Sequence, residues 1–247
     1  MTGVAVLEAQ HLHLGFGGVR AVDDVSLSLA AGEFLAIIGQ NGAGKSTFLN
    51  ICTGYLRPDS GEVRVGGRSI LGLKPRAIAK IGIARAFQHP QLFLQRSVLD
   101  HLRFAVSAGR AGFWRPFHPL ASAALADEVV GLLGLCGLEL VAELPARAIP
   151  EGSRKLLDVA MALALAPRIM LLDEPTSGVS SAEKLGLMTR LVGALRARGV
   201  SAIFVEHDME VVARFADRVA VWVEGRLLRV GSPQEVLADP DVKARVL

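Results

Sequence analysis

The chain has 247 residues, of which 51% are hydrophobic and 21% are charged. This composition excludes an intrinsically disordered or low-complexity protein, and it leaves room for a sheet that is buried on both faces. The formal net charge is +3 and no run of five basic residues occurs, which argues against a nucleic-acid partner.

The apolar stretches of the sequence are short. The ten uncharged residues at 129–138 are far fewer than the roughly 20 that a membrane-spanning helix needs. The first residues carry no basic segment ahead of a long apolar one, so we expect no secretory signal and a chain that stays in the cytosol. Cys52 and Cys136 each lie in an apolar stretch, which predicts buried, reduced thiols.

Strand patterns dominate the start of the chain. Apolar and polar residues alternate over 4–29, as they do in half-buried antiparallel strands. Residues 33–39, EFLAIIG, predict a buried strand, and the glycine-rich turn after them is followed by a helical pattern, KSTFLNICTGYL. Residues 58–70 return to short strands.

Helical patterns follow. Residues 74–86 and 97–108 predict two helices that the segment FQHPQLF separates. A loop rich in Gly, Pro and aromatic residues comes next at 109–120. Its side chains Phe113, Trp114 and Phe117 could contact a membrane protein or lipid headgroups, or could pack on the helical part of the chain.

The second half of the chain combines helices with buried strands. Residues 121–140 predict an apolar helix and turn, and the apolar helix at 155–166 is expected to be core. From residue 169 onward, short apolar strands alternate with helices at 181–198 and 209–216. That alternation is typical of a parallel sheet in an α/β protein.

Residues 39–46, GQNGAGKS, match the pattern G-x-x-x-x-G-K-[ST] between a buried strand and a helix. In that context the backbone N–H groups of residues 41–47 can surround a polyphosphate, and the helix N-terminus adds unpaired donors. Lys45 would reach the β and γ phosphates, and the Ser46 hydroxyl would ligate Mg²⁺. The sequence therefore predicts a nucleotide-phosphate site.

Two further strands end in side chains suited to phosphoryl transfer. The strand at 169–172 is followed by Asp173, which would hold the Mg²⁺ shell, and by Glu174, which would polarise the attacking water. The strand SAIFVE is followed by His207, which could hold water and γ phosphate in line. Taken alone, His207 would be an ordinary loop histidine, but its place after the next strand favours the site.

The motifs GQNGAGKST, FQH, MLLDEPTSG and VEHD, in this order, resemble the ATP-binding subunit of an ATP-binding cassette (ABC) transporter over nearly the whole chain. The resemblance implies an α/β P-loop NTPase fold with a mainly parallel sheet, an antiparallel β subdomain and an inserted helical subdomain. The single domain would span 1–247. Its β subdomain would cover about 1–35 and 58–72, its helical subdomain about 89–160, and the catalytic core the remainder.

The resemblance also implies roles for individual residues. Gln88 would link Mg²⁺ and water to the transmembrane partner, His207 would be the switch histidine, and Phe16 would stack on adenine. The nucleotide would contact residues of the glycine loop and of the family's signature motif: Gly39, Asn41, Gly42, Ala43, Gly44, Lys45, Ser46 and Thr47 of the loop, with Gly152 and Ser153 of the signature. The implied ligands are ATP and Mg²⁺.

Two positions depart from the family pattern. The signature, usually LSGGQ, corresponds to residues 149–153, IPEGS, in which Pro150 replaces the serine that donates to the γ phosphate of the opposite subunit. Ser180 stands where the family commonly has Asp. Losing one charge-assisted hydrogen bond costs about 1.5–3 kcal/mol, so we expect a weaker closed dimer than in typical relatives.

More narrowly, IAKIGIARAFQHPQLF, VEHDMEVV and ADPDVKARVL resemble the ATPases of branched-chain (hydrophobic) amino-acid importers. Such a system implies two transmembrane permease subunits, a second ATPase subunit (identical or different), and a periplasmic binding protein that acts indirectly. The ATPase would sit peripherally on the cytoplasmic face of the inner membrane. Urea or amide importers and lipopolysaccharide exporters resemble the chain as well, so these alternatives stay open.

Other function classes fit less well. Soluble ABC ATPases of translation or DNA repair usually carry two cassettes or a long coiled-coil insertion, whereas only 61 positions separate Gln88 from Ile149. A GTPase would need an N-K-x-D motif, which is missing, and a P-loop kinase would not need Gln88 and His207 together. A non-hydrolysing binding module is disfavoured because Glu174 and His207 are present.

Overall fold

The computed structural model describes residues 5–88, 90–111 and 123–246. The aromatic loop residues Phe113, Trp114 and Phe117 lie outside these ranges. The strands are β1 (Ala5–Phe16), β2 (Val19–Ala30), β3 (Phe34–Gly39), β4 (Ser60–Val65), β5 (Arg68–Ser69), β6 (Ile83–Ala86), β7 (Ile169–Asp173), β8 (Ser201–Val205), β9 (Arg218–Val223) and β10 (Arg226–Gly231).

The helices are α1 (Lys45–Cys52), α2 (Pro75–Ile81), α3 (Val98–Ala111), α4 (Ala123–Cys136), α5 (Glu151–Leu163), α6 (Ser181–Ala197), α7 (Met209–Phe215), α8 (Pro233–Ala238) and α9 (Pro240–Arg245). Two short 3₁₀ segments lie between α4 and α5.

The larger sheet has the strand order β10-β9-β3-β8-β7-β6. Strands β9, β3, β8, β7 and β6 run parallel, and only the edge strand β10 is antiparallel. The parallel strands therefore all end at one edge of the sheet. This architecture confirms the predicted α/β fold with a mainly parallel sheet.

Alternate residues of the buried strand β3 face two different cores. Phe34, Ala36 and Ile38 pack with residues of α3 to α6, whereas Leu35 and Ile37 pack with α1 and the smaller sheet. All six β3 residues are buried, which is why this strand lacks the polar alternation of a half-exposed strand. The larger sheet is thus the middle layer of the protein.

The smaller sheet has the order β2-β1-β4-β5, and its pairings are antiparallel. This confirms the strands predicted at 4–29 and 58–70. The inward residues of β1 and β2, such as Leu12 and Val25, are fully buried, while their neighbours alternate toward solvent. The subdomain boundaries themselves remain a prediction.

The prediction of one helix over 74–86 is wrong for residues 83–86. Helix α2 ends at Ile81, because Gly82 adopts a left-handed conformation with φ +112° and closes the helix through an N–H bond to Ala79 O. Residues 83–86 form strand β6 instead, with Ile83 beside Ile169 and Ala86 beside Leu172 of β7. The chain after β6 is thereby brought to the same sheet edge as the chain after β7.

Within the described ranges, every helix is too short or too polar to cross a bilayer. Cys52 and Cys136 are both buried, as expected, and burial raises the pKa of each thiol to about 12. At neutral pH these side chains are therefore protonated and behave as small apolar groups.

Candidate functional site

The glycine loop connects the end of β3 to the start of α1. At Gly39 (φ +152°) and Gly44 (φ +106°) the backbone adopts values that side chains rarely allow. A Cβ atom at Gly39 would collide with the carbonyl oxygen of Trp222, and one at Gly44 would collide with that of Ala21. Both glycines are thus required for the loop to approach its neighbours this closely.

Lys45 is the first residue of α1 and is 6% exposed. Its Nζ donates to the carbonyl oxygens of Gly39, at 2.6 Å, and of Gln40, at 2.9 Å. Burial lowers the pKa of this ammonium, while the charges of Glu174 and Asp173 act in the opposite direction. The lysine therefore lies inside the loop and within the electric field of both carboxylates.

The loop borders an open cleft of about 400 Å³ at the carboxyl edge of the sheet. Gln40, Asn41, Gly42 and Ala43 line one side of it, and Trp222–Glu224 with Arg245 line the other. Ser46 is exposed and Thr47 is partly exposed on the first turn of α1.

Asp173 ends β7 and forms an ion pair with Arg85 of β6, whose Nη2 donates to Asp173 Oδ2 at 2.7 Å. The Arg85 Nη1 atom donates to Asn50 Oδ1 at 2.6 Å. Both charged side chains are nearly buried, at 9% and 11% exposure. Sequence reasoning missed Arg85 because it fell in the segment wrongly predicted to be helical.

Glu174 follows Asp173, and its carboxylate contacts two side chains from residues that follow other strands. Gln88 Nε2, just after β6, donates to Glu174 Oε2 at 2.7 Å. His207 Nε2, just after β8, lies 3.1 Å from Glu174 Oε1. Gln88 and His207, which the sequence analysis selected separately, thus both contact the Glu174 carboxylate.

Two further charged residues at this edge were missed. Lys155 of α5 is 4% exposed, and its Nζ donates to the Glu174 carbonyl oxygen at 3.1 Å. Glu206 is 3% exposed, and its carboxylate accepts from the N–H groups of Thr176, at 3.0 Å, and His207, at 3.2 Å. In the sequence, Glu206 is only the last residue of the predicted strand SAIFVE, and nothing in that pattern indicates a role in the site.

The remaining candidates lie elsewhere. Phe16 is 49% exposed at the end of β1. Gly152 and Ser153 are in the first turn of α5, whose N-cap residue Pro150 makes no side-chain capping bond. They line a separate cleft of about 300 Å³ together with residues 178–180 and part of α6. Ser180 is the N-cap of α6, and its hydroxyl donates to Glu183 Oε2 at 2.5 Å.

Comparison with known proteins gives a consistent result. Residues 22–177 match the ABC transporter family. The chain is 32% identical over 243 residues to the high-affinity branched-chain amino acid transport ATP-binding protein LivG of Salmonella typhimurium, covering 96% of this chain and 95% of LivG. It is 31% identical over 238 residues to the lipopolysaccharide export system ATP-binding protein LptB of Acidithiobacillus ferridurans, covering 96% and 95%.

Among solved structures, the chain is similar to the ADP conformation of MJ1267, an ATP-binding cassette of an ABC transporter. The TM-score is 0.85 at 28% sequence identity, and the match covers 98% of each chain.

Proposed function

Because the chain belongs to the ABC transporter family of ATP-binding proteins and is an ATP hydrolase of that family, we propose that Glu174 is the catalytic base of its hydrolytic centre. The observation that carries this proposal is the Glu174 carboxylate between Gln88 Nε2, at 2.7 Å, and His207 Nε2, at 3.1 Å. A carboxylate oriented in this way can position an attacking water and accept its proton.

In this proposal the phosphates of ATP bind the glycine loop. Gly39 and Gly44 allow the backbone its close approach, and the N–H groups of residues 41–47 donate to phosphate oxygens. Lys45 leaves its two carbonyl partners and places its charge on the β and γ phosphates. Phe16, half-exposed at the end of β1, is the proposed partner of the adenine ring.

The donors in the site suit Mg²⁺, which prefers oxygen ligands. We assign Ser46, Asp173 and Gln88 as its protein ligands, acting directly or through water. The Asp173 carboxylate keeps free lone pairs beyond the one that Arg85 Nη2 engages at 2.7 Å. When bound, Mg²⁺ neutralises charge on the phosphate oxygens. Arg85 contributes by fixing the orientation of Asp173.

The signature region of one subunit is proposed to complete the nucleotide site of a second ATPase subunit. Gly152 and Ser153 lie at the N-terminus of α5, where unpaired N–H groups can donate to a phosphate. They line a cleft other than that of the chain's own glycine loop. This separation supports a head-to-tail arrangement of two subunits, in which each supplies half of a site.

We assign the chain to an importer of branched-chain or other hydrophobic amino acids. The support is the 32% identity to LivG over 96% of this chain, in addition to the sequence motifs. The partners are then two permease subunits and, indirectly, a solute-binding protein, and the chain acts at the cytoplasmic face of the inner membrane. A second candidate is lipopolysaccharide export, because the similarity to LptB is almost as high, at 31%.

The test is solute-stimulated ATP hydrolysis by the complex. The tagged chain is purified with its membrane partners, reconstituted in vesicles, and supplied in turn with candidate binding proteins and solutes. We expect leucine, isoleucine or valine to stimulate hydrolysis. Stimulation only by a lipid or lipopolysaccharide would contradict the importer assignment. The assignment of the hydrolytic centre would still stand in that case.

A further inference from the structure

Helix α5 carries two polar side chains on the face that it turns toward the site. Lys155 and Asp158 are three positions apart, so they lie on the same face of the helix. Lys155 Nζ donates to the carbonyl oxygen of Glu174 at 3.1 Å. Asp158 Oδ2 accepts from the backbone N–H of Phe87 at 3.0 Å. One helix thereby holds the two chain segments that carry Glu174 and Gln88.

The backbone at Glu174 needs support from its surroundings. Its φ of +50° lies in the left-handed region, which is unfavourable for a residue with a long side chain. Its N–H donates to Val205 O, and its carbonyl oxygen accepts from Ser177 N, each at 3.1 Å. Lys155 adds a charged donor to the same carbonyl oxygen, so it helps to keep this strained turn in place.

The charge of Lys155 is matched by the acids around it. Burial lowers its pKa, whereas the nearby carboxylates of Glu151, Glu206, Glu174 and Asp158 favour the charged form. Removing a buried cation from among carboxylates destabilises the fold, because it leaves buried charges unpaired. The contacts of such a cation also restrict its position.

Asp158 acts on the other segment. Phe87 directly precedes Gln88, and the Phe87 ring lies 5.2 Å from the guanidinium carbon of Arg85. The bond from Phe87 N–H to Asp158 therefore fixes the peptide unit between Ala86 and Phe87, one residue before Gln88. Gln88 Nε2 then meets Glu174 Oε2 at 2.7 Å. These hydrogen bonds form a closed ring of contacts. Lys155 binds Glu174, Glu174 binds Gln88, and Phe87, the neighbour of Gln88, binds Asp158 on the same helix as Lys155.

We propose that Lys155 and Asp158 are positioning residues for ATP hydrolysis, which hold the Glu174 and Gln88 segments so that the two side chains meet. This inference rests on the roles of Glu174 and Gln88 in the proposed function. Neither residue needs to touch the substrate. Their effect falls on turnover, because both contacts are made to the backbone of the Phe87 and Glu174 segments, and neither is made to the glycine loop between β3 and α1.

The test uses the full transporter complex with K155M and D158A, which remove the two contacts, and with K155R and D158N, which retain a donor or an acceptor. We expect kcat to fall by at least about tenfold in K155M and D158A, with the ATP Kd within about twofold of the unaltered complex. K155R and D158N should recover most of this loss. A role in stability alone would not produce this separation of kcat from Kd.

Two control variants lose similar contacts elsewhere. R218M removes a cation of β9 that donates to the carbonyl oxygen of Ser28 at 2.6 Å. D217A removes a carboxylate that accepts from the N–H of Phe34 at 2.8 Å. Both should lower Tm and leave kcat within about twofold.

Equal kcat losses in controls and test variants, or a parallel weakening of ATP binding, would overturn the inference. If K155M does not fold, D158A and the pair K155R and D158N still decide it. Failure of the proposed function itself is detected separately, by the variant E174Q. If Glu174 is not the catalytic base, E174Q keeps its kcat, independently of the results for the α5 variants.

Discussion

Gln88 and Glu174 are 86 positions apart in the sequence, yet the Gln88 side-chain amide donates to the Glu174 carboxylate at 2.7 Å. The contact arises because β6 and β7 are parallel neighbours, so the residues that follow them emerge at the same sheet edge. His207 reaches the other carboxylate oxygen from the end of β8. The order of three strands therefore assembles this part of the site.

Lys45→Ala should weaken ATP binding. The variant removes the buried ammonium that we place on the β and γ phosphates, so we expect the ATP Kd to rise at least about tenfold, which corresponds to about 1.4 kcal/mol. Titration with a fluorescent ATP analogue measures this, and Lys80→Ala on the exposed surface of α2 is the matched control. An unchanged Kd in Lys45→Ala would count against the assignment of the glycine loop.

Arg85→Met should destabilise the fold. The substitution leaves the nearly buried Asp173 carboxylate without its cation, and breaking such a pair costs about 3–5 kcal/mol. Urea denaturation gives the change in unfolding free energy. Arg103→Met is the comparison, because its ion pair with Asp100 is exposed and 3.8 Å long, and such pairs contribute about 1 kcal/mol or less. Equal decreases in unfolding free energy in the two variants would show that the buried Arg85–Asp173 pair stabilises the fold no more than the exposed pair does.

The glycine loop and the strands other than β6 could be predicted because local patterns determine them. The apolar run that became β3 and the glycines that follow it need no distant partner to be recognised. Asp173, Glu174 and His207 were found because each comes directly after such a run. Parallel strands then bring these residues together at one edge.

Arg85, Lys155 and Asp158 were not found, because their roles depend on contacts between distant segments. Arg85 lay in a helical pattern that Gly82 interrupts, and its partner Asp173 is 88 positions away. Lys155 and Asp158 were hidden by the apolar residues of a helix that was expected to be only core. Gly82 is the local sequence signal for the start of β6, because a glycine commonly follows the last turn of a helix.

The stability of the protein should depend on the ionisation of Asp158. Burial raises the pKa of this carboxyl to about 6 in the folded state, above its usual 3.8. Between these values the folded state binds more protons than the unfolded state, so the unfolding free energy falls as pH rises from about 4 to 6. The full difference corresponds to at most about 3 kcal/mol.

Asp158→Asn removes this titration. Urea denaturation of both proteins between about pH 4 and pH 7 should show the unaltered protein losing stability relative to the variant across that window, with no further change above about pH 6.5. A pH-independent difference between the two proteins would contradict the raised pKa.

The central claim is that Glu174 activates water while other residues bind ATP. Its most direct test compares steady-state hydrolysis and ATP affinity of Glu174→Gln with those of Glu143→Gln, a substitution of an exposed carboxylate in the chain segment before α5. We predict that Glu174→Gln lowers kcat by at least about a hundredfold with an unchanged ATP Kd, and that Glu143→Gln retains both values. Hydrolysis by Glu174→Gln near the unaltered rate would contradict the assignment.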